Sequence, residues 1–307
     1  MSLTCHRELA CDLVPGEERL EIFRPDAALS VGFIPCTGEV TGVLVLIHGV
    51  ASNASRWEEF VEFTTLRSHW HLIRLDLRAH GASSTTSVAT LEKHADDLVA
   101  VLDHLKMERA VWVGHSLGAQ IAMMSAMRHP MRTAGLVLLD PLVSGTLTRR
   151  ALVMKRWRPL VRILEVWGRM LQAIGWRRRL PKYSLRRHDE EARKMLLRGG
   201  EEFRAFVREY SSPWSDLRHI HLAPYMRDLL EVCRQTPAVE AFQMPSLVVA
   251  SQHGAFTDPE KVAAWVERMP RGAVTTVACV HWPLTECPMD VSQAIEEWLE
   301  RIFPQAT

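Results

Sequence analysis

Five short, mostly apolar runs, each ending in a turn, constrain this chain more than anything else in it. They are GVLVLIHG (42–49), HLIRLDLRAHG (71–81), RAVWVGHS (109–116), GLVLLD (135–140) and SLVVAS (246–251). A strand with one wet face alternates apolar and polar residues. A run that stays apolar at successive positions is buried on both faces, as in a parallel sheet. Between the first four runs lie segments with helical spacing, at 55–66, 90–105 and 117–129. In the second of these the apolar residues 98, 99, 101, 102 and 105 share one helix face. Thr90 stands before it, where an N-cap is needed. Strands alternating with helices predict a mostly parallel, doubly wound α/β sheet with helices on both faces. Ahead of it, ERLEIFR (18–24) and LSVGFIP (29–35) have the pattern of a hairpin.

After residue 140 the alternation stops, and from about 142 to 240 no stretch reads as a strand. It resumes with SLVVAS, a helix at 258–269, the strand AVTTVACV (273–280) and a last helix, VSQAIEEWLERIF (291–303). The reading is one α/β core in two parts, 1–141 and 241–307, interrupted by a helical insertion at 142–240. With 47% hydrophobic residues in 307, the chain can bury such a core.

The net charge of +1 points to no particular partner. The six cysteines form no CxxC pair and no zinc-type spacing with histidine. Reduced thiols and a cytoplasmic location are the expectation. The N-terminal MSLTCHRELACDLVPGEE lacks the apolar run of a signal peptide. No segment reaches the roughly 18 uninterrupted apolar residues of a spanning helix.

Residues 113–120 read VGHSLGAQ, so Gly114-His115-Ser116-Leu117-Gly118 fits G-x-S-x-G between a strand and a helix. A serine nucleophile at such a junction needs a sharp turn, and the turn crowds the backbone. Small flanking residues relieve the crowding. The turn also puts the N–H of Leu117 at a helix N-terminus, where negative charge is favoured.

On these residues the chain resembles the α/β-hydrolases, of the serine esterase or lipase kind, over nearly its whole length outside 142–240. LIHGVASNASRW (46–57) resembles the family's His-Gly loop, which implies a second oxyanion donor at the backbone N–H of Val50, or else of Ala51. RLDLRAHGAS (74–83) is similar to the Asp-x-x-Gly-x-Gly-x-Ser loop, with Ala79 in place of the first glycine. HWPLTECP (281–288) resembles the loop of the catalytic histidine. PSLVVASQHGAFTD (245–258) resembles the strand and loop that often carry the acid.

A serine hydroxyl needs a positioned base, itself oriented by a carboxylate. His281 follows the last strand and so falls at the sheet edge that carries Ser116. The acid is read as Asp140, with Asp258 as the alternative. The usual slot holds Gly254, and Asp258, four positions on, is placed to cap a helix that starts with Pro259. Asp140 ends the strand after the nucleophile helix, and some branches of the family carry their acid there. His48, His115 and Trp282 are candidate substrate contacts from their places beside the loop, the serine and the base.

The insertion is basic. Residues 149–187 hold 13 Lys or Arg and one acid, Glu165, and mix Trp157, Trp167 and Trp176 with Leu, Ile and Met. It reads as a cap over the site, with peripheral contact to a membrane or lipid surface as an added possibility. No recognition motif accompanies the charge, which argues against nucleic acid.

The resemblance implies a cap-bearing serine hydrolase that cleaves a small ester with a hydrophobic acyl or aromatic part and needs no metal or cofactor. Thioesterase, lactonase, carbon–carbon hydrolase and perhydrolase chemistry use the same parts. A non-catalytic ligand-binding relative is the rival of another class, and Gly254 is its one sign.

Overall fold

The computed structural model describes residues 13–176, 178–181, 184–210 and 212–304. Cys5, Cys11 and most of the acidic N-terminal stretch lie outside the described residues. The strands are β1 (Glu18–Arg24), β2 (Ala27–Ile34), β3 (Gly42–Ile47), β4 (Trp70–Leu75), β5 (Ser84–Thr85), β6 (Ala110–His115), β7 (Thr133–Leu139), β8 (Ser246–Ser251) and β9 (Gly272–Val277). They form one sheet in the order β1-β2-β4-β3-β6-β7-β8-β9, with β5 paired to β2. From β4 to β9 every pairing is parallel; β1 and β2 form the antiparallel hairpin at one edge.

The apolar runs are continuous because both faces of the inner strands are covered. Val45 and Ile47 of β3, Trp112 of β6, Leu136 and Leu138 of β7 and Val248 of β8 enter one core. Their neighbours Leu44, Leu46, Val111, Val113, Val137, Leu139, Leu247 and Val249 enter the other. This is the period-two split of a pleated strand. Each such side chain contributes about 1.5–3 kcal/mol by leaving water.

Helices α1 (Glu58–Phe63), α2 (Leu91–His104) and α3 (Leu117–Arg128) connect the first strands. Thr90 caps α2, its hydroxyl accepting from the Lys93 N–H at 3.3 Å. Between β7 and β8 lie α4 (Arg149–Arg156), α5 (Arg158–Ala173), α6 (Leu185–Arg198), α7 (Gly200–Tyr210), α8 (Pro213–Asp216) and α9 (Leu222–Val232), with no strand among the described residues. The basic segment that starts at 149 thus opens with two helices, α4 and α5. Trp157 separates them, and Pro159 sits in the first turn of α5, where its missing N–H costs nothing. Then come α10 (Pro259–Val266), α11 (Pro283–Glu286) and α12 (Pro288–Ile302).

The inserted helices lie across the carboxyl ends of the strands. Tyr225 and Met226 of α9 form a small core with Val50, Ala51, Val161 and Leu164. The Leu185 N–H donates to Ser55 Oγ at 2.8 Å, and Arg193 donates to the Thr285 carbonyl at 3.0 Å. Arg56 pairs with the buried Asp189.

Candidate active site

Two close approaches explain the glycines around Ser116. A Cβ on Gly114 would stand 2.2 Å from the Gly118 carbonyl oxygen, and one on Gly118 would stand 2.2 Å from that of Ile47. Ser116 itself has φ +52°, in the left-handed region that non-glycine residues avoid. The strained turn starts α3 directly after β6. It leaves the N–H of Leu117, the first residue of that helix, without a partner inside the helix.

Ser116, Val50, His115, His281 and Trp282 all line one cavity of about 340 Å³ between the strand ends and the inserted helices. Its other walls include Leu142, Val161, Leu229 and Phe256, with Arg56, Asp216 and Tyr225 as polar members. Asp216 accepts from the Tyr225 hydroxyl at 2.8 Å, and burial lifts its carboxyl to about 6.

His281 is 6% exposed and its Nδ1 meets Oδ2 of Asp140. With a carboxylate on Nδ1 the ring holds its proton there, and Nε2 keeps a lone pair. The other oxygen of Asp140, Oδ1, accepts from the Ser251 N–H and the Thr257 hydroxyl, both at 3.3 Å. Asp140 also has positive φ, at +43°. Asp258 does not share in this. It caps α10, accepting from the N–H groups of Glu260 and Lys261 at 3.1 and 3.4 Å, and the Lys261 ammonium beside it holds its carboxyl below the usual range.

His48 needs correcting as a substrate contact. It is wholly buried and is not part of the cavity wall. Its Nε2 accepts from the Leu77 N–H at 3.0 Å and its Nδ1 donates to the Gly49 carbonyl at 2.9 Å. Both nitrogens are engaged in tying the loop after β3 to the loop after β4. Burial keeps the ring neutral, its proton affinity well below that of a free histidine. His115 does reach the cavity, but its Nε2 holds the His281 carbonyl at 2.9 Å. Burial and the neighbouring His281 push it down to about 3, so it is a neutral donor.

Two residues escaped the sequence reading. Glu286 gathers the N–H groups of Val280, His281 and Trp282 at 2.9, 3.2 and 2.9 Å, and so fixes the loop that carries His281. Phe256 stands edge-on to the His281 ring, 4.6 Å between centroids. The glutamate had a sequence signal, an acid closing the first turn of a Pro-initiated helix in W-P-L-T-E. The phenylalanine had none.

The sequence profile of the alpha/beta hydrolase family matches residues 44–294, and the chain belongs to that family. Among curated relatives, it is 35% identical over 100 residues to a pimeloyl-(acyl-carrier protein) methyl ester esterase of Proteus mirabilis, covering 33% of this chain and 36% of that protein. It is 27% identical over 143 residues to an sn-1-specific diacylglycerol lipase of Danio rerio, covering 45% of this chain and 44% of the lipase. These matches thus span less than half of either relative. Among solved structures, a thermophilic esterase from Thermogutta terrifontis superposes with a TM-score of 0.64 at 24% identity, covering 93% of this chain and 99% of the esterase. The fold is the one these proteins share, and the relatives' names support a hydrolase.

Proposed function

We propose that the chain is a serine hydrolase of carboxylic esters, with Ser116 as nucleophile, His281 as base and Asp140 as the carboxylate that orients it. The observation that carries this reading is the pairing of Asp140 with His281, whose ring lines the same cavity as Ser116. With its proton held on Nδ1, His281 offers Nε2 to the serine hydroxyl. Ser116 attacks the ester carbonyl, and the proton passes to His281. The oxyanion forms toward the N–H groups of Leu117 and Val50, donors each worth about 10²–10³ in rate. His281 then protonates the leaving alcohol, and water enters by the same route to release the acid. The inserted helices act as a cap that excludes bulk water.

The substrate is a small ester with a hydrophobic acyl or aromatic part. A cavity of about 340 Å³ walled by Leu, Val and Phe supports this, and such volumes are usual for small-molecule sites. The relatives named as a methyl ester esterase and a diacylglycerol lipase support ester chemistry. A serine held in a strained turn beside a carboxylate-bound histidine argues against a non-catalytic relative. A fluorophosphonate probe tests this directly. Labelling is expected on Ser116 and is abolished by Ser116→Ala. An unlabelled protein that turns over no short p-nitrophenyl ester would overturn the reading.

A further inference from the structure

Helix α5 presents its apolar ridge outward. Leu160, Ile163, Trp167, Met170 and Ile174 recur at steps of three or four, the spacing of one helix face. In a helix docked on a protein core that face would be covered. Here Ile163 is 64% exposed, Trp167 53%, Met170 64% and Ile174 79%, with Trp157 and Trp176 at 59% and 70% just beyond the helix ends. The opposite side does the packing. Gly168 is buried against Ala223, and Val161 and Leu164 join the core around Tyr225. The only acid between 149 and 187, Glu165, is on that inner side and pairs with Arg227 at 3.2 Å. Exposed Arg156 and Arg162 flank the ridge, and exposed Arg169, 3.8 Å from Glu165, lies farther round the helix.

From this arrangement we infer that α5 docks the protein on the surface of an anionic lipid bilayer. An apolar face edged by arginine and tryptophan enters the interface between headgroups and acyl chains, while the cations meet anionic headgroups. A second copy of the chain fits poorly, because a two-fold contact would set this arginine-rich face against itself. The attachment is peripheral: among the described residues no helix is long and apolar enough to cross a membrane. Trp157, Arg158 and Val161 also line the cavity, so docking sets the site close to the lipid surface.

Sedimentation of the full chain with vesicles tests this. Vesicles of phosphatidylcholine with phosphatidylglycerol are expected to carry down at least tenfold more protein than phosphatidylcholine alone, and high salt to reverse the excess. The triple variant Ile163→Asp, Trp167→Asp, Met170→Asp is expected to lose at least tenfold of this binding. Its thermal midpoint should fall by only about a few degrees, the cost of three aspartates on an exposed helix face, with the fold kept. Arg156→Glu with Arg162→Glu should remove the preference for phosphatidylglycerol. Three results would overturn the inference: a parent chain indifferent to phosphatidylglycerol, a triple variant that binds as well as the parent, or light scattering that finds a dimer the triple variant dissolves. Binding is read without turnover, so a chain that docks but hydrolyses no ester would defeat only the proposed function.

Discussion

Asp140 and His281 lie 141 positions apart in the chain, yet the Nδ1–H of His281 donates to Oδ2 of Asp140. The end of β8 and the loop after it complete the arrangement from the other side, with Ser251 and Thr257 both donating to Oδ1. That loop therefore holds the carboxylate of a neighbouring strand and supplies none of its own. Three donors on one buried carboxylate fix its plane, and the plane fixes the imidazole.

Exchanging the two candidate acids separates their roles. Asp140→Asn removes the acceptor that keeps the proton on Nδ1, and kcat is expected to fall about 10⁴-fold. Asp258→Asn should leave kcat near the parent value, because asparagine caps a helix as well as aspartate. Asp258→Ala should lower stability through the lost cap, with activity retained. Steady-state kinetics on one p-nitrophenyl ester, beside urea unfolding, reads all three. A loss in Asp258→Asn equal to that in Asp140→Asn would refute the assignment.

Moving the acid to Gly254 should fail. A Cβ at that position would stand 2.1 Å from the Thr257 carbonyl oxygen, which is backbone and has little room to give. Asp140→Asn combined with Gly254→Asp is therefore expected to be less stable than Asp140→Asn alone and no more active. Recovery of even a hundredfold in kcat would mean that the loop refolds around the new carboxylate.

Much of this was legible in the sequence, for identifiable reasons. The runs at β3, β6, β7 and β8 stood out because both faces of those strands are buried. Ser116 stood out because a Cβ on Gly114 or on Gly118 would stand 2.2 Å from a backbone oxygen, so both must be glycine. The acid was legible only as a preference for Asp140 over Asp258, because nothing in their spacing records which one faces His281. His48 looked like a site residue from its neighbours; only its two backbone partners reveal a strut. The outward ridge of α5 was invisible for a related reason. Periodicity gives an amphipathic helix but not which side the rest of the protein covers.

Glu286 should act as a positioning residue. Glu286→Ala releases the N–H groups of Val280, His281 and Trp282 together, and hydrogen bonds to a charged group are worth about 1.5–3 kcal/mol each. A lower thermal midpoint is expected together with a fall in kcat and little change in KM, because the loop carries the proposed base more than it binds substrate. Glu286→Gln, which keeps an acceptor, should recover part of both losses. A variant that loses stability while kcat holds would leave Glu286 a purely structural cap.

Acid should unfold this protein through neutral buried histidines, and His94 gives the cleanest test. It is fully buried, neither ring nitrogen has a hydrogen-bond partner among the described residues, and burial lowers it from 6.5 to about 3. Between those values the unfolded chain binds a proton at this site that the folded chain refuses. Stability is therefore complete above the unfolded value and is lost as pH falls through the window, at about 1.4 kcal/mol per pH unit for one group. His48 and His115 are lowered in the same direction and add to the slope. His94→Leu removes one proton from the linkage and leaves no partner orphaned. Urea unfolding followed between about pH 6 and pH 4 should give the variant a slope shallower by about 1.4 kcal/mol per unit. The absolute stability of the variant does not enter, because only the slope is read. An unchanged slope would mean that His94 already takes up its proton in the folded state.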